Sequence, residues 1–123
     1  MSLNFTMFVK LQEEVEKLQS VQKQHGKTMT ARQTLDAQLN ENKLVKEEMD
    51  SLESGANVFK LIGPAMIRQD VEEAKGNVNK RIDYINGELK RQDQLIKELD
   101  KKQEAHREAL ANMQNQMQKL AQA

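Results

Sequence analysis

The sequence predicts a mainly α fold: a long antiparallel two-helix coiled coil with one β-hairpin between the helices, forming a single domain over residues 1–123. Three observations carry this. Apolar residues recur in alternating steps of three and four through most of the C-terminal half, the mark of a helix that buries one seam. The chain is 31% charged and holds three Phe, one Tyr and no Trp, too few large apolar side chains for a thick globular core. Between two charged halves stands one apolar stretch, Asn57–Gln69 ("NVFKLIGPAMIRQ"), which contains the only proline. At a mean hydropathy of −0.82, regular spacing is what separates a coiled coil from disorder.

The first helix is expected over about residues 6–53. Leu11, Val15 and Leu18 stand in one heptad frame. Leu18, Val21, His25, Thr28, Arg32, Leu35, Leu39 and Asn42 stand in another, which reads as a local change of register near Leu18. With several polar seam positions, this helix needs a partner. Thr6 is a candidate N-cap, and Gly55 in "ESG" is a candidate left-handed terminator. Spacings such as Glu13 with Lys17 and Lys43 with Glu47 give the outer face mild support.

The insert, about residues 55–69, reads as one β-hairpin. Gly63 and Pro64 form the turn, since Gly accepts unusual backbone angles and Pro fixes its own φ. Val58, Phe59, Leu61 and Ile62 make the first strand; Ala65, Met66 and Ile67 make the second. Both faces are apolar, and two strands alone in water are marginal. A helix pair covers one face, so the open edges and the other face call for further chains, and these nine residues are the candidate oligomerisation site. The simpler reading is a small cap folded onto its own helix ends.

The second helix is expected over about 71–120, with Asp70 and Glu73 as a D-x-x-E start signal. Its seam runs Ile82, Ile85, Leu89, Gln92, Ile96, Leu99, Gln103, His106, Leu110, Met113, Met117 and Leu120, and nine of these twelve are apolar, so the heptad frame is unambiguous. Val71, Ala74 and Val78 continue it upstream. The two helices have similar lengths, each roughly 70 Å at about 1.5 Å per residue, and the short insert makes them antiparallel, bringing the chain ends together.

Nineteen basic and nineteen acidic residues leave no net field toward nucleic acid or an anionic membrane, so neither is an expected partner. There is no cysteine for disulfides, thiolate catalysis or Cys-ligated zinc. No run approaches the ~18 apolar residues of a membrane span. The N-terminal "MSLNFTMFVK" has no signal-peptide pattern, so the expected location is the cytoplasm. His25 and His106 both fall on the seam. Pairing residues whose numbers sum to about 124 sets His25 against Leu99 and His106 against Leu18, which favours polar register markers over a metal pair. The carboxylates lie on open helix faces, "GPAM" lacks the features of a phosphate loop, and "KRIDYINGELKR" reads as a solvated face. No enzyme, cofactor or metal site is expected.

Three segments, "RQTLDAQLNENKLVKEEMDSL", "NVFKLIGPAMIRQD" and "KRIDYINGELKR", in the order helix, hairpin, helix, resemble the beta-class subunits of prefoldin, from about Leu11 to Leu110. The resemblance implies a hexamer in which the hairpins join an inter-subunit β-barrel carrying coiled-coil tentacles, assembled from alpha- and beta-class subunits. Room for a single hairpin fits the beta class. It further implies that tentacle tips hold unfolded polypeptides such as actin and tubulin and pass them, without ATP, to the group II chaperonin. Leu3, Phe5, Met7 and Phe8, with Met113, Met117 and Leu120, are then the candidate client-binding residues, because thioethers and exposed rings adapt to varied apolar segments. Met113, Met117 and Leu120 also lie on the seam, where a core role competes. The alternative function is a coiled-coil scaffold or tether in a trafficking or cytoskeletal complex.

Overall fold

The computed structural model describes residues 3–53 and 55–122. Its elements are α1 (Leu3–Asp50), β1 (Val58–Ile62), β2 (Ala65–Gln69) and α2 (Val71–Gln122). The helices hold 48 and 52 residues. This is the mainly helical fold expected, with one antiparallel hairpin between two long helices.

Both ends of α1 differ from expectation. The helix begins at Leu3, so Thr6 lies inside it and is not the N-cap. No Gly or Pro occurs before Gly26, and Leu, Met and Phe extend the helix without steric objection. At the other end α1 stops at Asp50. Its last carbonyls are taken by the Ser51 amide on Glu47 at 3.1 Å, the Leu52 amide on Met49 at 3.2 Å and the Ser51 hydroxyl on Glu48 at 2.9 Å. The helix is therefore closed before Gly55 is reached. Gly55, with φ of 88°, serves instead in the turn that the Ala56 amide closes onto the Glu53 carbonyl at 3.1 Å. Ser54, the middle of "ESG", lies outside the described residues.

The strands pair in the register Val58 with Gln69 through Ile62 with Ala65. That leaves a two-residue loop in which Gly63 has φ of 57°, the positive angle a primed hairpin turn needs at its first position. Asp70 opens α2: its Oδ2 accepts the Glu73 amide at 3.4 Å and its carbonyl accepts the Ala74 amide at 2.9 Å. Glu72 and Glu73 complement the dipole of that first turn.

The chain divides into two compact units. In residues 32–91, Leu39, Ile85 and Leu89 form the core, with Leu35 and Ile82 packed against them. Lys75 stands 3.9 Å from both Asp50 and Glu72. In the unit of residues 3–31 and 92–122, Leu99 is fully enclosed. Polar groups share this seam: Glu14, Thr28 and Gln103 are buried. The Thr28 hydroxyl donates to the Gln24 carbonyl at 2.8 Å, and Gln103 accepts from Arg107 at 3.3 Å. Among the described residues no buried side-chain N or O lacks a partner.

The expected register change near Leu18 does not occur. The less exposed positions run Met7, Leu11, Glu14, Leu18, Val21, His25 and Thr28 in steps of four and three, with Val15 also partly buried beside Glu14. Glu14 is the seam residue and Val15 its neighbour. A buried carboxylate at a core position was the unforeseen feature, and it has a partner on α2.

Candidate functional site

Two surfaces collect the residues singled out in the sequence. The first is the hairpin. Its register places Phe59, Leu61, Met66 and Arg68 on one face and Val58, Lys60, Ile62, Ala65, Ile67 and Gln69 on the other. Only Val58 and Gln69, at the base, are partly covered. The directly opposed pair Leu61 and Met66 is 71% and 70% exposed, and Phe59, Ile62 and Ile67 also stand open. Gly63 and Pro64 are exposed at the turn. The hairpin is thus not a cap folded onto its own helix ends. Removing one such Leu, Ile, Phe or Met side chain from water is worth roughly 1.5–3 kcal/mol, so the strands present an uncollected driving force for association.

The second surface lies where the two chain ends meet. Leu3, Met7 and Lys10 of α1 and Met113, Gln116, Lys119 and Leu120 of α2 line an open groove of ≈ 620 Å³. Of the seven residues expected here, the structure gathers Leu3, Met7, Met113 and Leu120. Phe5 and Phe8 are exposed but outside the lining, and Met117 is partly buried on the seam. Lys10, Gln116 and Lys119 were not anticipated. Their signal was the spacing Leu3, Met7, Lys10 and Met113, Gln116, Leu120, which puts each trio on one helix face.

The histidines do not meet. His25 Nε2 lies 2.9 Å from Asp100 Oδ1, next to the Leu99 expected opposite it. His106 Nδ1 bonds Glu14 Oε1, one turn from the expected Leu18. Both pairs cross between the helices, and no group of three metal-ligating side chains occurs among the described residues. No helix of the described residues is long and apolar enough to cross a membrane.

Comparison with known proteins decides the family. A prefoldin subunit family model matches residues 12–119. The chain belongs to the prefoldin subunit family. Prefoldin subunit 6 of Mus musculus is 47% identical over 110 residues, covering 89% of this chain and 87% of the relative. The Homo sapiens protein of the same name is also 47% identical over 110 residues, covering 89% and 85%. Prefoldin subunit 6 of Arabidopsis thaliana is 43% identical over 110 residues, with the same coverage. In fold, the chain matches the crystal structure of the prefoldin beta subunit from Thermococcus strain KS-1 with a TM-score of 0.69, covering 90% of this chain and 91% of that one, at 22% identity. As a prefoldin subunit, the protein is a chaperone component, and its family implies assembly with other prefoldin subunits. Prefoldin is a chaperone family, not an enzyme family.

Proposed function

We propose that this protein is a beta-class subunit of a hexameric, ATP-independent prefoldin that holds unfolded polypeptides in the cytoplasm and delivers them to the group II chaperonin. The observation that carries assembly is the hairpin with apolar side chains open on both faces and two unpaired strand edges. Strands of neighbouring alpha- and beta-class subunits complete the sheet into a barrel, with Val58, Phe59, Leu61, Ile62, Ala65, Met66 and Ile67 at the contact and the Gly63-Pro64 turn fixing strand register. The terminal groove supports holding. Leu3, Met7, Met113 and Leu120 offer flexible apolar contact, and Lys10 and Lys119 add charge at its rim. Phe5, Phe8 and Met117 extend the apolar surface beside it. Several weak contacts from several subunits combine by multivalency, so no single groove needs high affinity.

Actin and tubulin are the clients this reading names. Denatured actin diluted into buffer without ATP should stay soluble when the complex reconstituted around this subunit is present. Precipitation at the rate seen in buffer alone would contradict the holding role and leave a scaffold.

A further inference from the structure

Beside the exposed hairpin, the 32–91 unit carries a groove of ≈ 420 Å³ lined by Gln38, Asn42, Lys80, Arg81, Tyr84 and Ile85. A second hollow of ≈ 250 Å³ at the hairpin's foot is lined by Val45, Met49, Phe59 and Leu61, among others, and also by Arg81. Arg81 lines both hollows and so links the hairpin's foot to the groove. We infer that the contact with a neighbouring prefoldin subunit continues from the hairpin over Arg81 into this groove, where the neighbour presents an acidic segment. This rests on the assembly reading above.

The groove's chemistry selects the occupant. Two cations in this unit are already neutralised: Lys75 faces Asp50 and Glu72, and Arg91 pairs with Glu88. Lys80 and Arg81 have no ion pair among the described residues. Lys43, Lys46, Lys60, Arg68 and Lys90 of this unit are likewise without an ion pair among the described residues, but Lys80 and Arg81 are the two cations that line the groove, and the Arg81 fork suits a carboxylate in two-point contact. Asn42 commits its amide nitrogen to the Gln38 carbonyl at 2.7 Å, which leaves its side-chain oxygen as an acceptor for a backbone amide of an incoming segment. Tyr84, the only tyrosine, is 65% exposed, a large rigid surface of the kind that anchors interfaces beside Arg. The terminal groove, lined by thioethers in the other unit, has a different chemistry suited to varied clients. The Tyr84 groove suits one fixed partner.

Footprinting by mass spectrometry tests this on the co-expressed, purified hexamer, without client, against the isolated subunit. Acylation of Lys80, iodination of Tyr84 and oxidation of Met66 are followed by peptide mapping. Assembly should slow all three several-fold. Protection of Met66 alone would overturn the groove contact and leave hairpin assembly standing, whereas protection of none would sink the assembly reading as well. Protection of Tyr84 that arises only on adding denatured actin would also overturn the inference. In a second arm, the exposed substitutions K80E with R81E should speed subunit exchange about tenfold in a helical, folded protein and abolish its salt dependence. Exchange at the unaltered rate contradicts the acidic partner.

Discussion

Glu14 of α1 and His106 of α2 are bonded across the helix pair, carboxylate to imidazole, with Glu14 only 8% exposed. A buried polar pair of this kind contributes more to choosing the partner position than to stability, since each group gives up water to meet the other. Glu14→Ala strands the imidazole and should lower the stability of the subunit by about 1–3 kcal/mol. The double substitution E14L with H106L restores an apolar seam and should melt at or above the wild-type temperature. Thermal unfolding followed by circular dichroism distinguishes the two; a neutral single variant would contradict the pairing.

Among the described residues, Leu99 is the one large side chain with no accessible surface. Because a helix pair has little material with which to close a cavity, Leu99→Ala should cost about 2–5 kcal/mol. Leu44, well exposed on α1, provides the contrast: Leu44→Ala should change stability by no more than about 0.5 kcal/mol. Chemical denaturation of both variants measures the difference.

The glycines divide by backbone angle. Gly63 has φ of 57°, so Gly63→Val forces a branched side chain into the left-handed region at about 1–2 kcal/mol and should weaken assembly, with Gly63→Asn milder. Gly26 is helical, and an added Cβ there meets nothing within 4 Å. Gly26→Ala should stabilise the chain by about 1 kcal/mol, read as a raised melting temperature.

Removing residues 1–8 takes Leu3 and Met7 from the terminal groove and leaves the hairpin untouched. Suppression of actin aggregation should weaken while the hexamer persists on a sizing column. Undiminished suppression removes the N-terminal segment from client binding.

How legible these features were depended on where the apolar residues stood. The α2 seam from Ile82 to Met117 could be read position by position because most seam residues announce themselves as apolar, and the structure buries or half-buries each one. The hairpin was legible because Gly63-Pro64 separates two short apolar runs. The α1 seam misled because its core position is Glu14, and the apolar Val15 beside it suggested a false shift. Thr6 and Gly55 each had the right chemistry for a helix end, but local hydrogen bonding and unhindered extension moved the ends elsewhere. The Tyr84 groove was invisible from the sequence, since Gln38 and Asn42 on α1 join Lys80 and Arg81 only after the helices pair.

If the exposed hairpin builds the assembly, charges placed on its two faces must dissolve it. Native mass spectrometry of this chain co-expressed with the other prefoldin subunits tests it most directly, comparing wild type with a variant carrying Phe59→Asp and Ile62→Asp, one on each hairpin face. Charges buried between subunits are unpaired and costly. Hexamers are expected for the wild type, and for the variant only free subunits of undiminished helicity. Hexamers that form equally well with both aspartates in place would contradict that role of the hairpin.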